Sequence, residues 1–275
     1  MPVTRRTFLC AAGANTLAAQ GGKVPIGLEL YSVRSALAAD PTGTVKKVAA
    51  MGYQVVEFFA PYYDWTMGQA KDMRKLLNGL GVGCHSTHNS MACFQSANLQ
   101  KTIDLNHAIG GRYVVLASSI QSKNPADWKK LALETLTPAH EKLRAAGLRG
   151  GYHNHQLEFI PMDGGQRPME VLAANTPKDF MLELDVGTCV EAGADPVAWI
   201  DFNPGRIRTL HLKDWSKQRG YKVLFGEGSV HWKVVLTAAE RGGGAEYFLI
   251  EQEGSDYSEF ETARRCLDNY RKMVA

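Results

Sequence analysis

From about residue 25 onward, short apolar runs alternate with longer amphipathic ones. The runs at 26–31, 54–58, 82–86, 113–116, 148–153, 180–186, 207–212 and 247–251 have strand length and are rich in branched and aromatic residues. Their starts recur roughly every 30 residues, the span of one strand–helix unit. The segments at 41–51, 68–80, 97–109, 125–146, 168–174, 232–241 and 258–274 carry helical periodicity. Several run into a glycine (Gly52, Gly81, Gly110, Gly147, Gly242), the residue that ends a helix cheaply in the left-handed conformation. Eight strands, intervening helices and no flexible linker predict a single closed (β/α)8 TIM barrel. An open doubly wound sheet fits less well, because it usually has fewer strands and no GxGxxG opens the first helix.

Composition narrows the classes. Apolar residues are 45% of the 275, and the net charge is only +3, which argues against a nucleic-acid binder that works through a broad basic face. No run of about 18 apolar residues exists, so no ordinary membrane anchor is expected. The five cysteines are widely spaced and form no CxxC, against a disulfide framework or a thiolate zinc site.

The first residues read as an address. Thr4-Arg5-Arg6-Thr7-Phe8-Leu9, a mildly apolar stretch to Ala19, and the small pair Ala18-Ala19 resemble a twin-arginine export signal. The expected division is a signal peptide at 1–19 and a barrel domain at 20–275. The expected partner is the twin-arginine export machinery and the expected location periplasmic or exported, with any cofactor loaded before export. Replacing Arg5 and Arg6 together by lysine is expected to leave precursor in the cytoplasm on cell fractionation, because the receptor reads the arginine pair rather than its charge. A normal exported yield would refute the signal.

In such a barrel, chemistry gathers at the C-terminal ends of the strands. Strand two ends in Glu57, and strand three runs into His85 and His88. Strand five ends in His153-Asn154-His155, with Glu158 beyond. Strand six holds Glu183 and Asp185, strand seven His211, Lys213 and Asp214, and strand eight Glu251, with Glu253 following. Glu183 and Asp185 share a face, as do His211 and Lys213, so one of each pair can reach the centre while the other lines a deeper level. Imidazoles and carboxylates around one mouth suit one divalent metal ion (Mn, Mg, Co or Zn) rather than a soft metal.

Tyr152-His153-Asn154-His155 with Glu158-Phe159, Glu183-Leu-Asp185-Val-Gly, His211-Leu-Lys-Asp214, Gly226-Glu-Gly228, Ile250-Glu251-Gln and Leu30-Tyr31-Ser32-Val33-Arg34 together resemble the sugar phosphate isomerase/epimerase family. This is part of the xylose-isomerase-like barrel superfamily, with AP endonuclease 2-type barrels. The resemblance covers residues 25–272. In its epimerases, strands five to eight supply Glu, Asp, His and Glu to one metal. Asp185, His211 and Glu251 match three of these. At the fourth position stands His153, or His155 or Glu158 if the strand is shifted. The resemblance further implies His155, Glu158 and Glu251 as acid/base candidates, while the charge of Lys213 suits either an oxyanion or an ion pair with Asp214 or Glu183. Glu57, His88 and Trp215 are candidate substrate contacts, and Phe59, Tyr62 and Trp65 are mouth aromatics.

The expected chemistry is isomerisation or epimerisation of a free or oxidised sugar through an enediolate. The runner-up is 3-keto-glycoside lyase or hydratase activity on the same site. A carbohydrate-binding barrel without catalysis is the third reading. In each the partner is a small-molecule sugar or glycoside, and no phosphate-cradling loop stands out.

Overall fold

Residues 24–117 and 120–275 are described by the structure, a computed structural model. The proposed signal at 1–19 lies outside them. Eight parallel strands, β1 (Ile26–Glu29), β2 (Val55–Phe58), β3 (Gly83–Asn89), β4 (Tyr113–Leu116), β5 (Arg149–His153), β6 (Met181–Asp185), β7 (Thr209–Leu212) and β8 (Tyr247–Ile250), pair in sequence order and close on themselves. Closure is made by β8 on β1, with Gly27 opposite Leu249.

The helices form where the periodicity predicts, for visible local reasons. In Pro41–Met51, Asp40 caps the N-terminus by accepting the Gly43 N–H, proline takes the first position, and Gly52 ends the helix at φ 98°. Met67–Leu80 opens on a Thr66/Gln69 capping box and buries Ala70, Met73 and Leu77. Glu259–Val274 packs Ala263, Cys266, Leu267 and Tyr270 inward, with acids in its first turn and Arg271 and Lys272 in its last, each sign matching the helix dipole.

Three short helices, Arg34–Ala39, Val186–Glu191 and Pro196–Phe202, were not predicted. The segment at 125–146 is helical throughout but contains a π-helical stretch, Leu131–Leu136. The last helix-ending glycine is Gly244, at φ 77°, rather than Gly242, which lies inside the preceding π turn. Cys84, Cys93, Cys189 and Cys266 are buried free thiols.

Two features of the barrel position the site. The interior is floored by a separate apolar cluster of Val55, Tyr113, Val115, Met181, Tyr247 and Leu249. The β2–β3 pairing slips by one residue between Val56 and Phe58: Val56 faces Cys84, but Phe58 faces Thr87. That bulge reverses the in–out alternation of β3 beyond it. His88 is thereby placed opposite the inward-facing Val115 of β4 and points to the centre.

Candidate metal centre

Above the apolar floor, the inward positions of the strands carry ionisable groups at two levels. The lower level holds Glu57 and Glu183 among three imidazoles. His88 Nε2 lies 2.6 Å from Glu183 Oε2 and 3.1 Å from Glu57 Oε2. His153 Nδ1 is 3.1 Å from Glu183 Oε2, and His211 Nε2 is 2.9 Å from Glu57 Oε2. The His88 and His211 rings stack at 4.9 Å, and His153 stands edge-on to both at 4.5 Å.

Two residues further along β6 and β7 comes the upper level. Asp185 Oδ2 lies 4.0 Å from His153 Nε2 and 3.7 Å from Lys213 Nζ. Glu251 Oε2 lies 2.7 Å from His211 Nδ1, and its Oε1 3.3 Å from Lys213 Nζ. Lys213 also bonds Glu253. Its partners are therefore Glu251, Asp185 and Glu253, and not the Asp214 or Glu183 expected from the sequence.

Burial and charge act against each other here. Burial opposes a charge on His88, but Glu57 and Glu183 outweigh it and hold the imidazole up at about 9. Burial, with His211 and His88 nearby, pushes His153 well below the usual histidine range. Burial would raise Glu251, yet Lys213 and His211 keep its carboxyl well below the usual carboxylate range. Asp185 is pushed up to about 6 by burial, against the pull of Lys213.

One oxygen each of Glu29, Glu57, Glu183 and Asp185 is buried without a hydrogen-bond partner. Unpaired buried carboxylate oxygens are costly unless a cation compensates them. Ligand atoms of His153, Asp185 and Glu251 lie within 4.8 Å of one another, as do those of His88, His153, Glu183 and His211. Orphaned oxygens together with mixed nitrogen and oxygen donors fit a divalent ion. Of the four ligands expected from the sequence, His153, Asp185 and Glu251 converge in one group, while His211 converges with the lower group and reaches Glu251 through Nδ1 at 2.7 Å.

The remaining candidates separate. His155 and His88 line a cavity of about 320 Å³ that also touches Glu29, Tyr31, Phe59, Glu251 and Glu253. Glu57 is fully buried beneath that cavity and does not line it. Glu158 is buried as well, and both its oxygens are engaged. One accepts the Tyr152 hydroxyl at 2.7 Å and the other the His155 N–H at 2.9 Å, closing the turn Gln156–Phe159. Asn154 ties β5 to β6 by accepting the Asp185 N–H and donating to Thr188 Oγ1. Phe59 reaches the cavity, whereas Trp65 packs on Phe58 and Tyr62.

Trp215 sits in a loop organised by Asp214 and does not line the cavity. The Asp214 carboxylate accepts N–H groups from Trp215, Gly226 and Gly228 and the indole N–H of Trp232, all at 2.8–3.0 Å. A Cβ on Gly228 would stand 2.1 Å from Asp214 Oδ1, so the loop closes only over glycine. Asp214→Ala is expected to destabilise the protein by about 3–5 kcal/mol, since each buried donor left alone costs ~1–3 kcal/mol. Urea unfolding checks this, and a loss under ~1 kcal/mol would mean that the loop is held by something else.

The sequence reading missed Glu29. It is buried, its Oε2 accepts the Tyr31 N–H at 2.6 Å, and its side chain lines the cavity. Burial and then Glu251 raise its carboxyl well above the usual range. The available signal was position: Glu29 follows the inward Gly27 by two, but extending the strand to 31 hid its end.

Residues 45–272 match the xylose isomerase-like TIM barrel family. An inosose dehydratase of Lacticaseibacillus casei is 24% identical over 187 residues, 54% of this chain, which spans 60% of that relative's length. Among solved structures, a sugar phosphate isomerase/epimerase of Parabacteroides distasonis superposes with TM-score 0.77 at 24% identity, over 93% of this chain and 96% of the other. A zinc-containing IolI protein superposes with TM-score 0.71 at 14% identity, over 91% and 98%.

Proposed function

Because the chain belongs to the xylose isomerase-like TIM barrel family, we propose that it is a divalent-metal-dependent enzyme that removes a proton beside a sugar carbonyl, as an isomerase or epimerase. The observation that carries this is the buried cluster of His153, Asp185 and Glu251 at the barrel mouth, with His211 2.7 Å from Glu251 and an Asp185 oxygen that has no hydrogen-bond partner. A divalent ion held there would polarise a chelated carbonyl and acidify the adjacent C–H. The presence of zinc in a relative of the same fold supports that choice of ion class.

The chain's own groups then divide the work. His155, half-buried at the cavity wall, and Glu251, across the mouth on β8, approach a bound sugar from different sides. One takes the proton and the resulting enediolate receives it back on the neighbouring carbon or the opposite face. Lys213 holds the Asp185–Glu251 edge together by charge.

A free or oxidised sugar is favoured over a phosphate ester. Among the described residues the cavity is lined by Glu29, Glu251 and Glu253 and by no lysine or arginine, so a phosphate dianion there would face like charge without the side chains that commonly bind it. The export signal proposed from Arg5 and Arg6 agrees, since it would take the enzyme to free sugars and glycosides.

Glu29 favours a second reading. Among the described residues it makes no ion pair, and its carboxyl is held toward the neutral form, so it can give a proton to a departing oxygen. Elimination from a 3-keto glycoside would use that proton, and a dehydratase among the relatives agrees with it. The test is a panel of free sugars, sugar phosphates and 3-keto glucosides, followed by NMR in D2O on the metal-loaded protein. Turnover confined to sugar phosphates would refute the substrate class, and binding without turnover of any member would make the barrel a carbohydrate-binding protein.

A further inference from the structure

Two imidazoles in the barrel each straddle the two levels of the cluster. His153 turns Nδ1 down to Glu183 (3.1 Å) and Nε2 up toward Asp185 (4.0 Å). His211 turns Nε2 down to Glu57 (2.9 Å) and Nδ1 up to Glu251 (2.7 Å). We propose that Glu183 and Glu57 are positioning residues that keep the ring proton of each histidine on its lower nitrogen, so that His153 offers Nε2 and His211 offers Nδ1 to an ion seated beside Asp185 and Glu251. This rests on the metal-dependent reading above.

A neutral imidazole has one N–H and one lone pair, and an ionised carboxylate can only accept. Both levels carry carboxylates, so the difference between them decides. In the upper level Lys213 already donates to Glu251 at 3.3 Å and holds its charge 3.7 Å from Asp185. Among the described residues the lower carboxylates have no lysine or arginine partner, and their donors are imidazole N–H groups. Moving the His153 and His211 protons to the upper nitrogens would leave the two buried carboxylates to share the single N–H of His88 Nε2, with one oxygen of each already lacking a partner.

Access points the same way. His153 and Glu251 reach the cavity, whereas Glu57, Glu183 and His211 are fully enclosed. An ion seated among His88, His153, Glu183 and His211, whose ligand atoms also converge within 4.8 Å, would take the lower nitrogens instead. Orientation of ligand histidines by a carboxylate on the far nitrogen is a general device of metal proteins. Here two such pairs lie side by side.

The test uses full-length protein labelled with 15N-histidine and loaded with Zn²⁺. Two-bond 1H–15N correlation spectra read which nitrogen of each ring is protonated and which is bound to metal. The expected result is Nδ1–H with Nε2 bound for His153, and Nε2–H with Nδ1 bound for His211. Zinc affinity should fall about 10–100-fold in Glu183→Ala, and Glu183→Gln, whose carbonyl still accepts the proton, should restore most of it. Binding through His153 Nδ1 and His211 Nε2, or through His88, would overturn the inference and leave the metal reading standing. So would equal affinity in the two Glu183 variants. Should Glu183→Ala fail to fold, the wild-type spectrum decides alone. A wild-type protein that binds no zinc would overturn both.

Discussion

Replacing Asp185 by alanine is expected to strip the protein of its divalent ion. The carboxylate is fully buried. One oxygen accepts the Thr188 N–H at 3.0 Å and starts the helix Val186–Glu191, while the other has no hydrogen-bond partner. On the proposed reading the first oxygen serves the fold and the second would serve the ion. Asp185→Asn keeps a carbonyl for Thr188 and loses the charge, so it separates the two roles. His211→Ala removes another ligand and should act alike. For both alanine variants, affinity should fall by at least the ~10–100-fold that accompanies disturbance of a group merely supporting a ligand. Lys213→Ala should keep the ion, because its ammonium competes with the ion for Glu251 and Asp185 rather than holding it. Elemental analysis after dialysis checks all four variants. Wild-type metal content in both alanine ligand variants would remove the metalloenzyme reading.

With a true substrate in D2O, deuterium should appear on the carbon beside the carbonyl, in the product when it is an epimer or isomer and in recovered substrate when the product is an unsaturated sugar, which keeps no hydrogen there. Epimerisation and elimination share their first step, transfer of that proton to a side chain that exchanges with solvent. His155 lines the cavity and stands edge-on to His153 at 5.2 Å, and Glu251 lines it from β8. A base must lie within about 3 Å of the proton or reach it through one water. Removing the true base should slow exchange by about 10²–10⁴-fold, the usual worth of a placed general base. His155→Ala is the cleaner test, because Glu251→Ala would also disturb the metal. Turnover without solvent deuterium would leave internal return or hydride shift. If deuterium at that carbon also gave no isotope effect, the enediolate mechanism would fall.

How much of this was written in the sequence depends on the kind of signal. The strands were legible because each is a short apolar run bounded by helix-ending residues, and all eight appear within a few residues of their predicted spans. The helix Pro196–Phe202 was not: at seven residues it spans too few turns to show a period, and its clearest mark is Asp195, which caps it through the Val197 N–H. Asp185, His211 and Glu251 were legible because each stands at a strand end on a known face. His88 was visible as a residue but not as a member of the lower level. Its inward direction depends on the bulge in β3, and no local pattern announces a slip of one residue. Glu158 illustrates the opposite failure. It looked catalytic beside three polar neighbours, yet the Tyr152 hydroxyl and the His155 N–H occupy both its oxygens. The sequence shows that a carboxylate is near the mouth but not how many of its lone pairs are already spent.

The apolar cluster of Val55, Tyr113, Val115, Met181, Tyr247 and Leu249 under the ionisable groups also makes the centre a room with one door. Nothing charged can arrive or leave through the barrel floor, since an ion crossing it would give up its hydration with nothing in return. On the proposed reading, ion, sugar and product would therefore share one opening, lined by Tyr31, Phe59, His155 and Glu253. An order of arrival would follow: the ion would go in first, the sugar would close over it, and the ion would stay locked in for as long as the sugar remained.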